Sequence, residues 1–120
     1  MTKSYREIVE DARAAVTTTT PDKVKARLDQ GEQLVLIDVR EPDEWGQGIV
    51  PGAHTVPRGV LEGQVDNQVP RDATVVLYCG GGGRSALAAR NLKEMGFDNV
   101  ESMDGGFRAW ADAGYPVQNR

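Results

Sequence analysis

Short apolar runs alternate along the chain with stretches of helical periodicity. The two strongest runs are LVLID (34–38) and TVVLYC (74–79). Continuous runs of this kind, rich in β-branched residues, predict strands that are buried on both faces, as in a parallel sheet. Weaker runs at 53–56 and 100–103 predict two more strands, and TTTT (17–20) predicts either an edge strand or a linker.

Helical segments are expected between these runs. Ser4 and Glu7 have the spacing of a capping box before an amphipathic first helix, and Thr20 followed by Pro21 predicts the start of a second helix. The remaining helical segments are expected at 41–48, 58–68, 85–95 and 105–114. Strands that alternate with helices predict an α/β single domain with a mostly parallel central sheet of about five strands.

Composition narrows the classes of function. The chain has 120 residues and a net charge of −4, which argues against nucleic acid or an anionic membrane as the main partner. No apolar run approaches membrane length, and the first residues lack the apolar segment of a signal peptide. A single cysteine cannot form an internal disulfide, so a cytoplasmic protein is expected. One cysteine and one histidine do not suffice for a protein-only zinc site, so no metal is expected.

The stretch YCGGGGRS (78–85) places the only cysteine before four glycines and Arg84. Ligands of α/β proteins bind at the carboxyl ends of the strands, where this loop is expected. Glycines let backbone N–H groups surround an anion, and a helix that begins at Ser85 adds partial positive charge, so the loop favours a thiolate on Cys79. An inert, buried Cys79 is the alternative. It is disfavoured because each glycine costs roughly 0.5–1 kcal/mol of folding entropy.

Four stretches in the expected order resemble the rhodanese family: LIDVREPDEW (36–45), GIVPGAHTVPRGVLE (48–62), VLYCGGGGRSALAARNLKEMGF (76–97) and MDGGFRAWADAGYPV (103–117). The similarity extends from about Thr20 to Val117. We therefore expect a rhodanese domain at 20–118, preceded by an N-terminal helix and lead-in at 1–19. The resemblance implies helices on both faces of the sheet and a thiosulfate sulfurtransferase that uses a Cys79 persulfide and no cofactor.

The candidate site residues come from the loop and from neighbouring strand ends. Cys79 is the expected nucleophile, and Asp38 and Arg40 are expected to support the fold and the loop, as the resemblance implies. Arg58 follows a predicted strand at the same edge of the sheet and either faces the pocket or is a solvated surface arginine. The substrate-binding loop is expected to comprise Gly80, Gly81, Gly82, Gly83, Arg84 and Ser85. The acidic residues Glu41, Asp43 and Glu44 are expected to be solvated near a helix start.

Other functions remain open at this point. A non-enzymatic persulfide carrier or a partner-binding module would use the same domain. A cysteine-dependent phosphatase is less favoured, because such enzymes place five residues between cysteine and arginine, whereas this chain places four, Gly80 to Gly83. The expected partners of a sulfurtransferase are a small-molecule sulfur donor and a thiol or cyanide acceptor, or a protein acceptor such as a thioredoxin-like protein.

Overall fold

One parallel sheet forms the centre of the protein. The computed structural model describes residues 2–120. Its strands are β1 (Thr17–Thr19), β2 (Val35–Asp38), β3 (His54–Thr55), β4 (Val75–Tyr78) and β5 (Val100–Met103). Their order across the sheet is β1-β5-β4-β2-β3, and every adjacent pair is parallel. The predicted parallel sheet of about five strands is thus confirmed, with TTTT as an edge strand.

Helices cover both faces of this sheet. They are α1 (Tyr5–Ala15), α2 (Pro21–Asp29), α3 (Leu61–Val65), α4 (Gly83–Glu94) and α5 (Gly106–Asp112), with 3-10 turns at Pro42–Gln47 and Arg58–Val60. On one face α4 packs against α1 and α3, and on the other face α2 packs against α5. The α/β fold with helices on both faces is confirmed. No helix within residues 2–120 is long and apolar enough to cross a membrane.

Local signals place the first two helices as predicted. The Ser4 side chain accepts a hydrogen bond from the backbone N–H of Glu7, and the Glu7 carboxylate accepts one from the N–H of Ser4. The Thr20 side chain caps α2 by accepting from the N–H of Lys23, and Pro21 occupies the first helical position. These contacts satisfy N–H groups that a helix start leaves without partners.

The side chains of β4 point alternately to the two faces of the sheet, and this alternation decides on which face Cys79 lies. Val75, Leu77 and Cys79 belong to the core cluster under α4, whereas Val76 and Tyr78 belong to the cluster under α5. Both faces are apolar because both are covered by helices, which explains the uninterrupted apolar run. Cys79 therefore lies on the α4 face, at the carboxyl end of a central strand.

Two helix predictions differ from the structure. The helix expected from Ser85 begins two residues earlier, at Gly83, so that Arg84 lies in its first turn. The helix expected over 58–68 is instead a 3-10 turn at Arg58–Val60 followed by the short α3. Gly63 within α3 weakens helix formation, which is consistent with its short length.

The segment before residue 20 belongs to the same layers as the rest of the chain. β1 pairs with β5, and α1 packs against α4. The Arg13 guanidinium forms an ion pair with Asp104 at 2.8 Å, and the Lys93 ammonium donates to the carbonyl of Ala15. The Arg13 contact brings the first helix to the edge of the sheet where β4 ends, and the Lys93 contact fixes the end of this helix against the last turn of α4.

Candidate functional site

The loop after β4 turns its carbonyl groups toward α5. The Cys79 carbonyl accepts from the N–H of Phe107 at 2.8 Å, and the Gly80 carbonyl accepts from the N–H of Arg108 at 3.1 Å. Gly106 permits this approach, because a Cβ at that position would collide with the Cys79 carbonyl. Peptide N–H groups point opposite to their carbonyls, so this anchoring turns the N–H groups of Gly80 and Gly81 away from α5.

The Cys79 sulfur lies inside the curve of this loop. The N–H of Gly82 donates to Sγ at 3.0 Å, and the residue is only 1% exposed. Within residues 2–120, the N–H groups of Gly80 and Gly81 have no hydrogen-bond acceptor. The first turn of α4 adds its own free N–H groups and the positive end of its dipole. The loop thus offers several donors to a negatively charged sulfur.

Two serine hydroxyls lie beneath the sulfur. The Cys79 thiol is 3.6 Å from Ser85 Oγ and donates to it, and Ser85 Oγ donates to the Gly82 carbonyl at 3.1 Å. Ser85 Oγ is also 2.8 Å from Ser102 Oγ, on the neighbouring strand β5, and all three side chains are buried. Ser102 was not predicted as a site residue. The one available signal was a serine in the middle of the apolar run VESM.

Arg84 is paired, which changes its expected role. Its guanidinium donates to both carboxylate oxygens of Glu44, at 2.6 and 3.0 Å. Glu44 lies in the 3-10 turn Pro42–Gln47 and is half-buried, so the prediction that it is solvated is wrong. The hydrogen bond from Arg84 lowers the pKa of Glu44 to about 2. Glu44 in turn raises the pKa of Arg84, with a smaller contribution from nearby Cys79.

Arg58 lies at the same edge of the sheet but is held by other elements. Its backbone N–H donates to the Val39 carbonyl, just after β2, and its guanidinium donates to Glu62 at 2.9 Å. Glu62 also accepts from Asn91 of α4 at 2.8 Å. The Arg58 side chain is therefore fixed between α3 and α4 and, within residues 2–120, makes no hydrogen bond to the Cys79 loop.

Asp38 and Arg40 form a buried ion pair at the end of β2. The side chains are 0% and 2% exposed, and the Arg40 guanidinium donates to both carboxylate oxygens of Asp38. Arg40 also donates to the carbonyls of Glu44 and Gly48 and lies 4.2 Å from the ring centroid of Phe107. The pair therefore connects the 3-10 turn that carries Glu44 to α5, on which the loop rests.

Different structural features explain why each of the four loop positions is a glycine. Gly82 adopts φ +112°, a conformation that side-chain-bearing residues rarely adopt. A Cβ on Gly83 would lie 2.5 Å from the hydroxyl of Tyr5 in α1, and a Cβ on Gly80 would lie 3.3 Å from the Arg84 guanidinium. A Cβ on Gly81 would meet no atom within 4 Å. Only Gly82 is required by backbone conformation.

We expect Gly82→Ala to lower the reactivity of the Cys79 thiolate and Gly81→Ala to leave it nearly unchanged. Alanine at the φ of Gly82 is strained by about 1–2 kcal/mol, and relief of that strain would rotate the N–H that points at the sulfur. Gly81→Ala is the matched control, because it adds the same methyl group to open space in the same loop. The measurements are the kinetics of Cys79 alkylation and thermal unfolding. Equal kinetics for the two variants would contradict this role of Gly82.

Two clefts adjoin the loop on opposite sides. The first has a volume of about 440 Å³ and lies between α1 and Gly81, Gly82 and Gly83, with the Arg13–Asp104 pair at its wall. The second has a volume of about 360 Å³ and lies between the 3-10 turn of Glu44 and α5, beside Gly80. Small molecules can therefore approach the loop from either side.

Comparison with known proteins gives one consistent family. The sequence pattern of the family described as a rhodanese-like domain matches residues 20–113. The probable adenylyltransferase/sulfurtransferase MoeZ from Mycobacterium tuberculosis is 39% identical over 107 residues, which cover 87% of this chain and 27% of MoeZ. A sulfurtransferase from Allochromatium vinosum is 34% identical over 96 residues, which cover 80% of this chain and 89% of that protein. The chain thus spans about a quarter of MoeZ and most of the second relative.

A solved structure extends the similarity to nearly the whole chain. A protein of unknown function from Rhodopseudomonas palustris, described as a possible tyrosine phosphatase, superposes with a TM-score of 0.89 and 35% sequence identity. The match covers 98% of this chain and 96% of that protein, so it includes α1 and β1. The fold around the Cys79 loop is therefore shared with this solved structure over the matched residues.

Proposed function

The chain belongs to the rhodanese-like domain family, and from this premise we propose that it transfers sulfane sulfur through a persulfide on Cys79. The donor is thiosulfate or a related persulfide, and the acceptor is a thiol or cyanide. The observation that carries the proposal is the position of Sγ inside a loop of N–H donors at the end of β4, with Gly82 N–H at 3.0 Å. The sulfurtransferase relatives support the same chemistry.

The reaction is nucleophilic catalysis in two steps. The Cys79 thiolate attacks the outer sulfur of thiosulfate, a new S–S bond forms, and the S–S bond of the donor breaks. Sulfite leaves with the electron pair of that bond, and a persulfide anion remains on Cys79. In the second step the acceptor thiolate or cyanide attacks the terminal sulfur, and the Cys79 thiolate is regenerated. No external oxidant or reductant is needed.

The loop stabilises the charged sulfur at each stage. The N–H of Gly82 donates to the sulfur, the N–H groups of Gly80 and Gly81 turn away from α5 and have no acceptor within residues 2–120, and the positive end of the α4 dipole lies beside them. Arg84 lies close to Cys79, although its donors are bonded to Glu44. Ser85 contributes by rotation of its hydroxyl, because its proton can turn from the Gly82 carbonyl to the sulfur once the thiol proton is lost. Preorganised donors of this kind are each worth about 3 kcal/mol when lost from an active site.

The proposal is tested by intact-mass measurement after incubation with thiosulfate. We expect the protein to gain one sulfur atom, and we expect cyanide or a thiol to remove it. Because Cys79 is the only cysteine of the chain, the added sulfur has one candidate attachment site, and peptide mapping checks it. No mass gain from thiosulfate and from a small-molecule persulfide would refute the proposal.

A phosphatase is the second candidate, because the protein from R. palustris is described as a possible tyrosine phosphatase. Two features of this chain disfavour it. Four residues separate Cys79 from Arg84, which makes a smaller loop than the five of such phosphatases. The donors of Arg84 that a phosphoryl group would need are already bonded to Glu44. Turnover of an aryl phosphate at a rate comparable to sulfur transfer would favour the phosphatase instead.

The acceptor decides between an enzyme and a carrier. An enzyme turns over with several small thiols or cyanide, whereas a persulfide carrier delivers its sulfur efficiently to one protein, such as a thioredoxin-like acceptor. Steady-state rates with several acceptors separate the two. We place the reaction in residues 20–118, with α1 forming one wall of the first cleft. A reducing compartment such as the cytoplasm suits a chemistry that runs through a free thiol.

A further inference from the structure

Carboxylates neutralise the arginines that adjoin the Cys79 loop. Arg84 is bonded through two nitrogens to Glu44, and Arg58 is bonded to Glu62. Arg40 is buried against Asp38. A sulfur donor such as thiosulfate carries a negatively charged group that must be held while its outer sulfur reacts. A cation that is not already paired suits that task best.

Arg108 is such a cation. Its backbone is fixed beside the loop, because its N–H donates to the Gly80 carbonyl at 3.1 Å. Its side chain is exposed, and within residues 2–120 it forms no ion pair. Asp112 lies one helical turn further along α5 but is not within ion-pair distance. Arg108 is therefore free to bind an external anion.

Arg108 lines the second cleft, between α5 and the 3-10 turn of Glu44. The cleft has a volume of about 360 Å³ and also contacts Gly80, the residue that follows Cys79. Its other charged side chains are the two carboxylates Glu44 and Asp112 and the buried Arg40. Arg84 compensates the charge of Glu44, and Asp38 compensates the charge of Arg40. Within residues 2–120, the charged side chains of this cleft that form no ion pair are therefore Arg108 and the exposed Asp112.

We propose that Arg108 binds the anionic end of the sulfur donor in this cleft, while Arg84 stays paired with Glu44 beside Cys79. This inference rests on the proposed function and assigns the donor to one chemical class, small anionic sulfane-sulfur compounds. With thiosulfate the bound group is the sulfonate, which departs as sulfite when the S–S bond breaks. The planar guanidinium of Arg108 can offer two parallel N–H donors to two oxygens of the sulfonate.

The experiment measures the two half-reactions separately in Arg108→Ala, Arg108→Lys and Arg108→Glu. In a two-step transfer, kcat/KM for thiosulfate reports the donor step, and kcat/KM for cyanide reports the acceptor step. We expect Arg108→Ala to lower the thiosulfate value about tenfold, the loss of one charged hydrogen-bonded contact. Arg108→Lys should recover part of the lost kcat/KM for thiosulfate, and Arg108→Glu should lower kcat/KM for thiosulfate further than Arg108→Ala does. The cyanide value should change less than about twofold for Ala and Lys.

Lys93→Ala is the matched control. It also removes one positive charge, but at the far end of α4, where the ammonium bonds only the Ala15 carbonyl. If Lys93→Ala and Arg108→Ala lower the thiosulfate value equally, the effect is one of net charge and the inference is wrong. An equal fall of the cyanide value in Arg108→Ala would show a structural effect and would also overturn it. Failure of the proposed function looks different, because the wild-type protein would then gain no sulfur from thiosulfate.

Discussion

Cys79→Ser is expected to abolish sulfur transfer while the protein stays folded. The thiol is the only one in the chain, and an alcohol at the same position is neither ionised at neutral pH nor able to carry a persulfide. We expect thiosulfate-dependent release of sulfite to fall by at least about a thousandfold, as for other enzymes that lose their nucleophile. The measurement is sulfite release at saturating thiosulfate, together with thermal unfolding.

The fold should tolerate this change because serine is slightly smaller and can keep both hydrogen-bonded contacts of the thiol. The hydroxyl can accept the N–H of Gly82 as Sγ does, and it can donate to Ser85. Ser102→Ala is a useful comparison, because it removes a buried hydroxyl of the same network without touching the nucleophile. The sulfur-transfer rate of Ser102→Ala should fall far less than that of Cys79→Ser. Sulfite release by Cys79→Ser at the wild-type rate would show that the sulfur is not carried by Cys79.

Arg40→Ala should destabilise the protein more than loss of any exposed cation. It leaves the Asp38 carboxylate buried without its partner, at 0% exposure. Removal of one member of a buried ion pair costs about 3–5 kcal/mol, whereas exposed pairs contribute about 0–1 kcal/mol. The measurement is the free energy of unfolding in urea. Arg6→Ala serves as the exposed control, since Arg6 pairs with Glu10 at the surface of α1.

The same variant should also disturb the site. Arg40 donates to the carbonyls of Glu44 and Gly48, at 3.2 and 2.7 Å, and so fixes the 3-10 turn from which Glu44 reaches Arg84. A double variant, Asp38→Asn with Arg40→Met, removes both charges and should recover part of the stability, because no unpaired charge remains buried. It should not recover full activity, since the turn is still unanchored. An Arg40→Ala protein as stable as Arg6→Ala would contradict this account.

Much of the fold could be predicted from local sequence. The apolar runs gave the strands, and the caps at Ser4 and Thr20 gave two helix starts, because these signals act over a few residues. The start of α4 was misplaced by two residues. The φ of Gly82, on which the turn into the helix depends, is set by contacts of the whole loop and leaves no sign in a run of four identical glycines.

The sequence alone determined where the chemistry is expected. A single cysteine at the end of an apolar run, followed by glycines and an arginine, marks Cys79 whatever the rest of the chain does. Alternation along β4 then decides which face Cys79 shares, since side chains of a strand point to opposite faces in turn. Motifs of this kind involve residues close together in the sequence, so they can be recognised without knowledge of the strand order.

Only the tertiary structure decided what each side chain touches. Arg84 meets Glu44, 40 residues away in sequence, because β2 and β4 are neighbours and place their following loops side by side. Ser85 meets Ser102 because β5 borders β4 on the other side. Within residues 2–120, Arg108 forms no ion pair among these charges for the same reason. Which charges are neutralised and which remain free depends on strand order and long-range packing, and no local sequence pattern encodes that order.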